Sequence, residues 1–241
     1  MNRREKQRLI RDAKQKAARQ RQQRTQILGR IALYVALPVL LIFVAYVLFS
    51  QGPTYSTVEV APDDHVFGDP ATPVSIVVYA DFQCPACATE SQVMARIWPR
   101  IENRAHMIFR HYPLTASNPH AWTAALYAEA AGRQDRFWEM HDFLFVNQPI
   151  WSFLPEVESE FDSYAETLEL DLERLRTDLE NDEVIDKVRN DQRGGNAAGV
   201  RSTPAMFING QRVAQLSASR IMELVNENYA EAAAEEEEAS G

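Results

Sequence analysis

The chain has 241 residues, 46% of them hydrophobic, which is enough for one sizeable globular domain with extensions. It holds two cysteines and no second C-x-x-C, and its one H-x(4)-H spacing, His106 and His111, falls on a β-type run that puts the two on opposite faces, so a four-ligand structural zinc site is not expected. The net charge of −9 hides a split: residues 1–30 carry eleven Lys/Arg against Glu5 and Asp12, a local +9 that leaves −18 for the remainder. Two different environments follow from that split.

Residues 1–30 read as a basic cytoplasmic arm. The arm has no aromatic residue, and a Lys/Arg cluster beside an apolar run is explained by topology and anionic lipid rather than by nucleic acid. Ile31 to Phe49 follows without a charge and is long enough to read as one transmembrane helix. The run exceeds the usual signal-peptide core of about 7–15 residues and no A-x-A site follows it, so an uncleaved anchor is expected. By the positive-inside rule everything from about residue 51 onward faces outward, where disulfides persist. Residues 50–65 read as a linker, within a Pro/Asp/Thr/Gly-rich stretch that reaches Pro73 and holds one short strand at Ser56–Val60.

The folded domain is expected over residues 66–229. Val74–Tyr79 is a buried strand, and the helix after it has Val93, Met94, Ile97, Trp98 and Ile101 at core-facing spacing until Pro99 bends or ends it. Met107–Tyr112 is a second strand, so the order is strand, helix, strand in an α/β arrangement. Residues 118–196 then read as almost entirely helical. An Asn118-Pro119 cap opens a helix to Gly132, Gln134–Asn147 makes another, and Pro155–Leu168, Asp171–Asn181 and Asp182–Asn196 supply three more. The chain returns to β at Ala205–Ile208, turns at Asn209-Gly210 and pairs back over Gln211–Val213. A last helix from Ser217 to Tyr229 leads into residues 230–241, an acidic tail expected to be disordered.

The chemistry sits at Asp81-Phe82-Gln83-Cys84-Pro85-Ala86-Cys87, where the first strand ends and its helix begins. Unpaired N–H groups and the positive end of the helix dipole stabilise a thiolate at such a position. C-x-x-C cysteines there have pKa values lowered from about 8.5 into roughly 3.5–7.5. Cys84 is therefore the expected attacking thiol and Cys87, one turn further in, the resolving one. Pro85 fits the first helical position, where its missing N–H costs nothing. An inert structural disulfide is the plain alternative, but so small a loop removes little unfolded-state entropy. A Cu(I)-holding pair is another, and it lacks an added Met, His or Cys ligand beside the motif.

The ordered set of Val66-Phe67-Gly68-Asp69-Pro70, Asp81–Cys87, Phe137-Trp138-x-x-His141-Asp142-x-Leu144-Phe145 and Thr203-Pro204-x-x-Phe207-Ile208-Asn209-Gly210 resembles the DsbA-like thioredoxin-fold proteins, in particular the membrane-anchored group related to BdbD. The resemblance implies a thioredoxin fold whose central helical insertion, about residues 118–196, caps the active site. It implies that Cys84 and Cys87 form the redox disulfide, with Cys84 as nucleophile. Pro85, Ala86 and the Thr203-Pro204 loop, with a cis-proline, support them. It further implies a thiol–disulfide oxidoreductase of a bacterial cell membrane, with no cofactor, acting on thiol-containing extracytoplasmic proteins and reoxidised by a quinone-linked membrane partner. A reductase or isomerase of the same fold would use the same residues.

Two departures stand out. Strongly oxidising members of that family often carry histidine between the cysteines, whereas here the pair is Pro85-Ala86. Thioredoxin itself has a buried acid six residues before its first cysteine, and that position here is Val78, which leaves the proton acceptor for Cys87 open. The histidines give no obvious substitute: His106 and His111 fall on opposite faces of one strand, and His141 reads as packed core.

Overall fold

A computed structural model describes residues 60–240 continuously, a helix over Leu37–Phe49 and a few single residues before and after that helix. The chain divides into two units, residues 1–52 and 53–241. In the first, the apolar run predicted from Ile31 lies partly outside the described residues. The described part, α1, is a helix of 13 residues, and no helix among the described residues is long and apolar enough to cross a membrane. The strand expected at Ser56–Val60 also falls largely outside them.

The second unit is built on a five-stranded sheet in the order β1-β3-β2-β4-β5. Its centre is β2 (Val74–Ala80) paired in parallel with β3 (Ala105–His111), joined by α2 (Pro85–Ile97). All seven residues of each strand are buried, as their unbroken apolar reading requires of strands covered on both faces. β4 (Ala205–Ile208) runs antiparallel to β2 and turns into β5 (Gln211–Arg212) through Asn209 and Gly210, both at positive φ (45° and 78°). That pair of left-handed residues is what an Asn-Gly hairpin turn demands.

Side chains alternate between the two faces of the sheet. Ile76, Val78, Met107 and Phe109 join α2 and α9 (Ala218–Ser240) in the larger core, with Ile221 and Val225 contributed by α9. Val77, Tyr79, Ile108 and Phe207 face the other way into a smaller cluster with Tyr112 and Val200. Met94, Ile97 and Ile101 are fully buried where the 3.6-residue period put them, and α2 gives way after Ile97 to a 3-10 turn around Pro99.

Between β3 and β4 the chain forms α3 (Ala121–Gly132), α4 (Phe137–Val146), the single turn α5 (Gln148–Trp151), α6 (Glu158–Thr167), α7 (Leu172–Leu179) and α8 (Asp182–Ala197). Buried charges fasten these helices to the sheet. Arg110 of β3 donates two hydrogen bonds to Asp64, at 3.1 and 2.7 Å, and one to the Tyr79 hydroxyl. Lys187 of α8 bridges Asp64 at 3.2 Å and Asp191 at 2.7 Å, and Asp191 also accepts the His111 N–H. Glu129 of α3 sits between His65 and His111, 3.0 and 2.7 Å away.

Three expectations need correction. The junction of linker and domain expected at residues 65 and 66 is instead part of a strand, β1 (His65–Phe67), which pairs antiparallel with β3 along the sheet edge; three residues are too few to show a period. Asn118 does not cap a helix: α3 starts at Ala121 after His120, and the Asn118 side chain donates to Asp81 at 2.7 Å. Residues after Tyr229 continue α9 as far as Ser240 instead of forming a disordered tail, in keeping with the high helix propensity of alanine and glutamate.

Candidate active site

Cys84 occupies the N-cap of α2 in an extended conformation (φ −79°, ψ 118°), with Pro85 in the first turn. No side chain caps this terminus. The helix N–H groups therefore point at the cysteine sulfurs, and the Asp81 N–H approaches Cys87 Sγ at 3.5 Å. Both cysteines are free thiols; Cys84 is half-buried and Cys87 fully buried, while Pro85 and Ala86 are exposed. The Thr203–Pro204 peptide is cis, and the Thr203 carbonyl lies 3.6 Å from Cys84 Sγ, within reach of its thiol proton when Cys84 is protonated. Structure thus gathers all six residues singled out from the sequence, Cys84, Pro85, Ala86, Cys87, Thr203 and Pro204, at one end of the sheet.

The two thiols are driven apart in acidity. The Cys87 thiol hydrogen-bonding to Cys84, then the Thr203 side chain and the N–H groups of Cys87 and Ala86, together outweigh burial and hold Cys84 down to about 5. Thr203 is free for this, since its buried hydroxyl has no hydrogen-bond partner otherwise. Burial foremost, and the neighbouring Cys84, push Cys87 far up. One sulfur is a thiolate at neutral pH and the other a thiol, the division of labour that disulfide exchange requires.

Several residues that support this turn were not recognised as such in the sequence. Asp81, 1% exposed, accepts from the Gln83 N–H at 2.8 Å, the Leu114 N–H at 2.8 Å and Asn118, so one carboxylate ties the turn to the exit from β3. Gln83 accepts the His120 N–H and donates to the Ser152 carbonyl. Gln148 donates to the carbonyls of Phe82 at 2.6 Å and Cys84 at 3.0 Å. The segment carrying Gln148 and Ser152, which bonds to the Cys84 turn, also exposes Val146, Ile150 and Phe153, the last 87% accessible. A run of apolar residues around a short turn is the sequence signal for that apolar strip.

A parallel β-α-β centre, an antiparallel hairpin after a cis-proline and a dithiol at the first helix N-terminus together define a thioredoxin fold with a helical insertion. The chain belongs to the thioredoxin family, whose model matches residues 60–227. Among solved structures it is similar to alpha-DsbA1 of Wolbachia pipientis (TM-score 0.65, 19% identity, covering 74% of this chain and 96% of that one). BdbD of Bacillus subtilis gives a TM-score of 0.63 at 19% identity, covering 74% and 99%. MdbA, a thiol-disulfide oxidoreductase of Corynebacterium diphtheriae, gives 0.56 at 18%, covering 74% and 98%. The fold is therefore DsbA-like. By sequence the chain is also 38% identical over 164 residues to a protein of Salinispora arenicola named Na(+)/H(+) antiporter NhaA 1, and 37% to NhaA 3 of Salinispora tropica. Those matches take in 68% of this chain and only 24% of each antiporter, so the chain spans about a quarter of the length of these curated relatives.

Proposed function

We propose that this chain is a protein thiol–disulfide oxidoreductase that forms disulfide bonds in extracytoplasmic proteins through Cys84 and Cys87. The observation that carries the reading is the placement of a half-exposed Cys84 at the N-cap of α2, beside the cis Thr203–Pro204 peptide, with a buried Cys87 one turn below it. A substrate thiolate attacks Cys84 Sγ of the oxidised enzyme, forming the mixed disulfide and breaking the Cys84–Cys87 bond. A second substrate thiolate then attacks the substrate sulfur, completes the substrate disulfide and releases Cys84 as a thiolate. The stabilised Cys84 thiolate favours the reduced enzyme, which makes the oxidised form a disulfide donor.

The proposal places residues 1–30 in the cytoplasm and assigns Ile31–Phe49 as an anchor, on the strength of nineteen uncharged residues behind eleven basic ones. Residues 66–229 are then the catalytic domain outside a bacterial cell membrane, on a linker of residues 50–65. Reoxidation falls to a quinone-linked membrane partner, and no cofactor or metal is assigned. The apolar strip at Val146, Ile150 and Phe153 suits an unfolded thiol-bearing substrate. The antiporters' transport belongs to those proteins and is not carried over.

Equilibration of the Cys84–Cys87 pair with glutathione tests the direction. A potential above about −200 mV supports a disulfide donor, whereas one near −270 mV turns the assignment to a reductase or isomerase. Cys84→Ser is expected to abolish oxidation of a reduced folding substrate, and retained turnover would defeat the assignment.

A further inference from the structure

Glu90 lies on α2 one turn beyond Cys87, on the same face of the helix, and is 7% exposed. Residues three apart on a helix hold their Cβ atoms about 5–6 Å from each other. Its Oε1 is fully buried and has no hydrogen-bond partner. An unpartnered buried carboxyl is costly, and nothing in the packing of α2 requires one. The carboxyl opens instead into a cavity of about 90 Å³ beneath the active-site helix. That is room for water.

The strands contribute only apolar side chains to this cavity, Phe67, Val78, Met107 and Phe109. Its polar lining is Glu90 and Ser91 from α2 with His141 and Asp142 from α4, and the rest of what those segments contribute is apolar. His141 Nδ1 is 2.9 Å from Asp142, whose side chain is 74% exposed, so the polar part of the lining on the α4 side reaches solvent at Asp142. No basic side chain lines it to hold Glu90 ionised.

We propose that Glu90 is the proton donor and acceptor for Cys87, exchanging its own proton with solvent through this cavity. The inference rests on the disulfide-exchange reading above. In the oxidising direction a substrate thiolate forms a bond to Cys84 Sγ, the Cys84–Cys87 bond breaks, and the electron pair goes to Cys87 Sγ. The Glu90 O–H proton then moves to that sulfur, leaving a carboxylate that takes a proton from cavity water. In the reverse direction the Glu90 carboxylate removes the Cys87 proton, and the thiolate attacks Cys84 Sγ of a mixed disulfide and expels the partner thiolate. Burial lifts the Glu90 carboxyl to about 8, so it holds its proton at neutral pH and is poised to give it up to a newly formed thiolate.

The test uses the full chain with Cys84 joined to glutathione in a mixed disulfide, and follows release of glutathione by Cys87 from pH 5 to 10. The unmodified protein should show an inflection near pH 8. Glu90→Gln should abolish the inflection and slow release at pH 8.5 by about tenfold or more, and Glu90→Asp should restore a shifted inflection. Iodoacetamide capture of Cys84 in the reduced protein is the control: its rate should be the same in all three forms. An unchanged release profile in Glu90→Gln overturns the role of Glu90 while leaving disulfide exchange intact; failure of the unmodified protein to release glutathione at all overturns the exchange reading itself. Carboxyl-labelled glutamate followed by NMR needs no variant. One glutamate should titrate near pH 8 and move on reduction of the disulfide, and the absence of any such resonance refutes the proposal.

Discussion

Two buried polar regions flank the same pair of strands and are built on opposite rules. On one side Asp64, Arg110, Lys187 and Asp191 saturate one another, with carboxylates answered by guanidinium, ammonium and backbone N–H. On the other, Glu90 is buried without a partner for Oε1 at a cavity whose lining is mostly apolar. Paired charges hold the insertion in place; an unpaired one next to a redox centre lowers stability and keeps its proton available.

The largest way to break the comparison is Lys187→Met, which leaves buried Asp191 without its cation and takes one of two donors from Asp64 Oδ1. It should destabilise the fold by about 3–5 kcal/mol in urea unfolding, with Cys84 alkylation unchanged below the transition. Glu90→Gln should act with the opposite sign. The folded carboxyl titrates near 8, above the unfolded value of about 4.3, so the native state loses stability as pH rises through that window. The variant escapes the loss and should gain about 2 kcal/mol at pH 8 over the unmodified protein, and almost nothing at pH 4.5, a contrast that paired thermal melts would register. The smallest expected effect is that of Thr203→Val. Without the hydroxyl, the alkylation midpoint of Cys84 should rise from about 5 by about one unit or less. Because Cys84 is depressed rather than raised, its contribution to the reduced form fades as pH falls toward 5, and the variant should lose part of that contribution at neutral pH.

Much of the centre was legible because its signals are local. The apolar run at Val74–Tyr79, the proline after Cys84 and the Asn209-Gly210 turn each fix a backbone conformation within a few residues. The insertion was legible as helices but not in its boundaries, since their termini are set by partners distant in sequence, as Asn118 shows by bonding Asp81 rather than capping α3. Gln148 carries no sign in the sequence that it will reach the carbonyls of Phe82 and Cys84. Glu90 is a different case. It continues the buried stripe Cys87, Met94, Ile97 at helical spacing, and a carboxylate inside an apolar stripe was a readable anomaly.

The contacts that seat the insertion on the Cys84 turn run through the carbonyls of Phe82 and Cys84 and the side chains of Asp81 and Gln83. Pro85 and Ala86 project outward and take no part in them. The dipeptide between the thiols is thus mechanically uncoupled from the architecture around it. Relatives of this chain are at liberty to drift at those two positions, resetting the driving force of the pair while the rest of the domain keeps its shape.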